Sequence, residues 1–161
     1  MKAVVNRIIP FSSVDGPGNR TAVFLQGCNI NCKYCHNPET WQVCDHCGQC
    51  VAGCPAGALA LRKGKVVWDE TRCAGCDQCI HVCPHHASCK VSELTPEALF
   101  EKIAETFPFI QGITVSGGEC MLYADFLTAL FRRVKAAGKT CLIDSNGVFA
   151  FEKYPELLAL C

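Results

Sequence analysis

The sequence carries no excess charge of either sign, because 15 Lys and Arg balance 15 Asp and Glu. A nucleic-acid or anionic-membrane surface therefore has no electrostatic basis as the main partner. No apolar run approaches the roughly 18 residues needed to span a bilayer. Met1 to Pro10 lacks the apolar segment and the small-residue cleavage site of a secretory leader. Together these absences predict a soluble chain in a reducing cytoplasm, with no nucleic acid and no membrane among its partners.

Half of the 161 residues are hydrophobic, enough to bury an ordinary core, so one globular domain plus a small module is expected rather than a disordered tail. Cysteine is present in excess: 15 residues, eleven of them in tight runs. That exceeds what free core thiols supply, so most must be disulfides or metal ligands. A reducing cytosol argues against disulfides.

Thr21 to Leu25 is β-branched and apolar and runs into Gln26, Gly27 and Cys28, the pattern of a buried strand followed by a loop. Beyond the cysteine-rich segment, Thr95 suits an N-cap and Pro96 the first helical position, and the helix is predicted to end at Phe107, before Pro108. Gly112 to Ser116 reads as a strand, Ala124 to Ala137 as an amphipathic helix stopped by Gly138, Thr140 to Asp144 as a strand, and Glu152 to Leu160 as a helix. This order predicts an α/β fold with a parallel sheet, curled as a barrel or open, because parallel neighbours need helical crossovers. Residues 1–43 and 91–161 would form that unit, and residues 44–90 would be an insert within it. The third strand or its neighbour is left as an edge. The chain ends at Cys161 where a fourth strand is expected, which suggests a truncated sequence.

The insert contains an internal repeat. Cys44, Cys47, Cys50 and Cys54, followed by Pro55, recur as Cys73, Cys76, Cys79 and Cys83, followed by Pro84. This C-x2-C-x2-C-x3-C-P run is the bacterial two-cluster ferredoxin spacing, in which each fourth cysteine serves the other cluster. One 4Fe-4S cluster would take Cys44, Cys47, Cys50 and Cys83, and the other Cys73, Cys76, Cys79 and Cys54. Zinc is the alternative metal, but two zinc sites do not require interleaving. Both clusters would be closed, suiting electron transfer or a structural role. Cys89, Cys120, Cys141 and Cys161 read as unligated thiols, and His46, His81, His85 and His86 as surface residues.

Three further thiolates, Cys28, Cys32 and Cys35, lie within eight residues on the first loop. Three suit three irons of a cubane and leave the fourth iron open to a substrate. Three of four zinc ligands, or buried thiols, remain alternatives for the spacing alone. Ser116-Gly117-Gly118-Glu119 ends the second strand: the glycines permit close backbone approach, and the carboxylate can accept hydrogen bonds from a ligand ammonium. An ordinary strand-to-helix turn fits the same residues. Asp144-Ser145-Asn146-Gly147 ends the third strand, where Asn-Gly also suits a tight turn and Asp144 a helix cap. In parallel α/β architectures the loops after the strands share one face, so all three segments should converge there.

With Tyr34 before its last cysteine, the first loop resembles the cluster loop of the radical S-adenosylmethionine (SAM) superfamily. Asp15-Gly16-Pro17-Gly18, Arg20, Gln26-Gly27-Cys28 and Cys35-His36-Asn37-Pro38 look like the opening of glycyl radical enzyme activating enzymes. Residues 117–119 and 144–147 are similar to that family's SAM-binding segments, although Cys120 replaces a common proline. The insert resembles that of the insert-bearing, YjjW-type subgroup. The resemblance implies a partial (β/α) barrel and three 4Fe-4S clusters, with Cys28, Cys32 and Cys35 holding the cluster that binds S-adenosyl-L-methionine. It places Tyr34, Cys35, His36, Gly117, Gly118, Glu119, Asp144, Ser145 and Asn146 around that cofactor. The implied reaction is reductive SAM cleavage to a 5'-deoxyadenosyl radical that generates a glycyl radical on a partner enzyme. A reduced flavodoxin or ferredoxin-like protein would donate the electrons. A radical SAM enzyme with another substrate, or an iron-sulfur electron-transfer protein, are the rival classes.

Overall fold

A computed structural model describes residues 1–161. The chain opens with a long strand, β1 (Ala3–Ser12), which turns into β2 (Arg20–Leu25). The cysteine-rich segment follows, with α1 (Gln49–Ala52), a hairpin of β3 (Leu59–Arg62) and β4 (Lys65–Trp68), and α2 (Gln78–His81). The chain then returns through β5 (Ser92–Leu94), α3 (Pro96–Ala104), β6 (Gly112–Gly117), α4 (Ala124–Ala136), β7 (Thr140–Ile143) and α5 (Pro155–Leu160).

The main sheet has the order β5-β1-β2-β6-β7. As the βα alternation predicts, β2, β6 and β7 are parallel, with Ala22 beside Thr114 and Thr114 beside Leu142. The antiparallel pairs of β1 with β2 and with β5 are additions that the sequence did not announce. Every residue of β2 is buried, which explains its unbroken apolar run: it has neighbours on both edges and on both faces. The main core lies on one face, where Val23, Leu25, Ile113, Val115 and Cys141 meet Leu99, Ile103, Phe126, Leu127, Leu130, Phe131 and Leu157.

Helix boundaries follow the caps. Thr95 Oγ1 accepts the Ala98 N–H at 3.2 Å, and Pro96 occupies the first turn. α3 stops at Ala104, and a 3-10 turn over Phe107–Phe109 takes up the residues around Pro108. The single helix expected over 152–160 is instead a 3-10 turn, Phe151–Lys153, followed by α5. Pro155 forces this division, since proline cannot sit in a helix interior but fits the first turn.

The cysteine-rich segment is a backbone repeat as well as a sequence repeat. Its left-handed residues recur at matching places: His46 and Gly75 (φ 61° and 68°), Gly48 and Asp77 (83° and 57°), and Gly57 and His86 (57° and 52°). α1 and α2 start after the second of these positions in each half. Cys50, Leu59, Val66, Cys79 and Cys89 make a small separate core.

Candidate functional site

The three strand ends do converge, and Glu119 is the centre of the junction. Its side chain is completely buried. Oε1 accepts the Met121 N–H at 2.9 Å and the Ser145 hydroxyl at 3.0 Å, and Oε2 accepts the Asn146 N–H at 2.7 Å. Asn146 reaches onward to the cysteine loop: its Nδ2 donates to Asn29 Oδ1 at 2.8 Å and approaches Cys28 Sγ at 3.9 Å. The carboxylate therefore ties the loop after β6 to the loop after β7, and through it to the first cysteine.

The glycine pair permits that closeness. A Cβ on Gly117 would lie 2.2 Å from the Leu25 carbonyl oxygen, and one on Gly118 would lie 2.1 Å from that of Gly27. Both obstacles are backbone, so neither residue can carry a side chain without displacing the loop. The Gly118 and Glu119 N–H groups donate to the Leu25 and Gly27 carbonyls at 2.9 and 2.8 Å.

The cysteine loop closes at its neck, where the Gly27 and Cys28 N–H groups donate to the Thr40 and Trp41 carbonyls at 2.7 and 2.9 Å. Buried Gln26 braces this neck. Its side-chain amide donates to the Glu39 and Gln42 carbonyls and accepts from Asn6. Cys28, Cys32 and Cys35 are half-buried, Tyr34 is 85% exposed and His36 is exposed. The clamp residues Gln26, Asn29 and Trp41 were not predicted as functional, because their roles depend on partners distant in sequence.

Asp144 is exposed beside this junction. Desolvation by its surroundings, and secondarily repulsion from Asp15, raises its carboxyl above the usual range, with a Ser116 hydrogen bond opposing the shift. Asp144 is not the expected helix cap: the N-cap of the following 3-10 turn is Ala150 and that of α5 is Tyr154, neither with a side-chain cap bond. Asn146 and Gly147 do form the expected turn, with Asn146 Oδ1 accepting the Val148 N–H at 3.1 Å. Cys120 is fully buried and its thiol donates to the Asp144 carbonyl at 3.3 Å, while burial pushes its pKa up.

No three or more His, Cys, Asp or Glu side chains converge as a single-ion site requires. A cubane asks for a different arrangement, since each thiolate takes a different iron and the sulfurs surround a body. Cys54, Cys73, Cys76 and Cys79 line one small cavity, together with Pro55, Leu59 and Trp68. Cys44 is close enough to both Cys47 and Cys83 to feel their charge, although desolvation is the main cause of its raised pKa. Backbone N–H groups already point at sulfur: Ala58 donates to Cys54 at 3.3 Å and His46 to Cys44 at 3.4 Å. Clustered thiols with N–H groups directed at them are a donor set that fits iron-sulfur groups. His81, His85 and His86 are exposed as expected. His46 is half-buried instead, because its Nδ1 accepts the Val66 N–H at 3.2 Å and anchors β4.

Thiolate loops at the carboxyl end of a parallel sheet mark an iron-sulfur protein on an α/β scaffold. Comparison with known proteins makes the class specific. The chain belongs to the family described as 4Fe-4S single cluster domain, whose model matches residues 14–156. It is 37% identical over 166 residues to the choline trimethylamine-lyase activating enzyme of Oleidesulfovibrio alaskensis, covering 91% of this chain and 53% of that protein. It is 35% identical over 170 residues to the indoleacetate decarboxylase activating enzyme of Tractidigestivibacter scatoligenes (91% and 54%). With the pyruvate formate-lyase-activating enzyme of Streptococcus mutans it shares 33% over 163 residues (98% and 47%). Each of these three relatives is named as an activating enzyme. The chain spans about half the length of these curated relatives. Its fold is similar to that of QueE from Escherichia coli, with a TM-score of 0.59 at 17% identity over 91% of this chain and 54% of that one.

Proposed function

We propose that this chain carries the SAM-cleaving core of a glycyl radical enzyme activating enzyme of the insert-bearing, YjjW-like subgroup. The observation that carries the reading is the Glu119–Asn146–Cys28 linkage, which brings the cysteine loop and the two other strand ends to one place. Cys28, Cys32 and Cys35 would hold a 4Fe-4S cluster that takes S-adenosyl-L-methionine. The chemistry supplied there is one-electron cleavage of SAM to methionine and a 5'-deoxyadenosyl radical, which takes hydrogen from a glycine α-carbon of a partner enzyme.

The chain's own residues bind, orient and shield. Gly117 and Gly118 let the Leu25 and Gly27 backbone pack against the end of β6, which fixes where the cysteine loop begins. Tyr34 lies within the loop and His36 directly after its last cysteine, and Asp144, Ser145 and Asn146 form the wall after β7. Glu119, its oxygens taken by Ser145 and two backbone N–H groups, acts by holding that wall in place.

The interleaved sets, Cys44, Cys47, Cys50 and Cys83 and Cys73, Cys76, Cys79 and Cys54, hold two further 4Fe-4S clusters. The chemistry they would supply is electron relay, from a reduced flavodoxin or ferredoxin-like donor in the cytoplasm. No helix is long and apolar enough to cross a membrane.

The test is electron paramagnetic resonance of the anaerobically reconstituted, reduced chain, with and without SAM. A component perturbed by SAM and missing in Cys28→Ala, over the persisting signals of the two insert clusters, is expected, because SAM binds the open iron. A spectrum indifferent to both SAM and Cys28 would contradict the reading.

A further inference from the structure

Trp68 closes the β3–β4 hairpin, paired with Leu59. Its indole Nε1 is buried and completes no hydrogen bond within the protein, although the Cys73 thiol is near enough to feel its N–H. Burying a donor unmet is costly, so a native fold that keeps one has a use for it or an acceptor still to come. The same side chain forms a wall of the cavity lined by Cys54, Cys73, Cys76 and Cys79.

We propose that the Trp68 indole N–H donates to sulfur of the cluster in this cavity and sets its reduction potential above that of its twin. The proposal rests on the cluster reading of the insert given above. Reduction adds one electron, supplied by dithionite or an electrode, to a cluster already ringed by thiolates, and no proton moves. An N–H aimed at sulfur stabilises the more negative state and so favours the reduced form.

The tryptophan breaks the symmetry of the repeat. At the matching places of the repeat, 29 residues to either side, stand Glu39 and Glu97, and the other tryptophan, Trp41, lines the same cleft as Trp68 and Cys73. Trp68 and Cys73 also line a cleft of about 800 Å³ together with Trp41, the residue whose carbonyl accepts the Cys28 N–H. The more easily reduced cluster of the pair would thus lie on the side turned towards the SAM-binding loop.

The experiment uses the full chain with Cys28, Cys32 and Cys35 changed to alanine, so that only the insert's clusters titrate. Its iron content and midpoint potentials are compared with and without Trp68→Phe, which keeps the ring and removes the donor. The expected result is about 8 irons in both chains. One midpoint should move negative by roughly a tenfold change in equilibrium constant, about 59 mV for one electron, while the other stays. Unmoved midpoints at unchanged iron would overturn the proposal. So would loss of about 4 irons in Trp68→Phe, which would make the tryptophan a packing residue. If the parent chain binds no cluster iron, the cluster reading itself fails and the proposal falls with it.

Discussion

At Glu119 a carboxylate has been withdrawn from water and given three donors from two loops. Glu119→Gln keeps the shape but turns an NH2 group towards one of those donors. An unmet buried group costs about 1–3 kcal/mol, so urea denaturation should show a loss of that order, and calorimetry a weaker SAM affinity. Gly118→Ala meets the Gly27 carbonyl, and overpacking against backbone is expected to cost about 1–3 kcal/mol by the same assay. Asp144 predicts a pH effect. Its folded carboxyl holds a proton more tightly than the unfolded one, so the folded state binds more protons in that window and stability falls as pH rises from about 4 upward. Asp144→Asn should flatten that slope in urea midpoints measured across the window, and an unchanged slope would contradict the assignment. The identity of these site residues was legible in the sequence. That Glu119 spends its oxygens on protein donors was not, since hydrogen-bond partners 26 or 27 positions away leave no local pattern.

Among the elements, the parallel strands and their crossover helices were legible because hydrophobic period and caps are local signals. β1 and β5 were not. β1 mixes buried and exposed residues irregularly and is bulged, so it offers no clean alternation, and β5 has only three residues. Pro155 did carry a local signal, and it shows why a helix over 152–160 could not be continuous. The insert's repeat was legible in its cysteines, and the matching left-handed positions extend it to backbone shape. Interleaving makes a prediction at this scale. Cys54→Ala should deplete the cluster of the second repeat and Cys83→Ala that of the first. Each variant would lose about 4 irons, and the double variant about 8. A loss confined to each cysteine's own repeat, visible as the wrong midpoint disappearing, would contradict the pairing.

For the whole molecule, the α/β scaffold matters because it gathers what the sequence scatters. The cysteine loop, the glycine pair with Glu119 and the Asn146 turn are separated by about a hundred residues and an insert, yet meet at one end of three parallel strands. Convergence followed from the topology rule for parallel sheets, whereas the clamp by Gln26 and the Trp41 carbonyl needed the folded loop to be seen. The central claim is that this junction cleaves SAM reductively. It is tested most directly by reducing the anaerobically reconstituted chain with SAM present, assaying 5'-deoxyadenosine and counting iron, beside Cys28→Ala. About 12 irons, four for each of three clusters, with 5'-deoxyadenosine that disappears in the variant, is the predicted result. About 8 irons in both chains, and no 5'-deoxyadenosine from either, would contradict it.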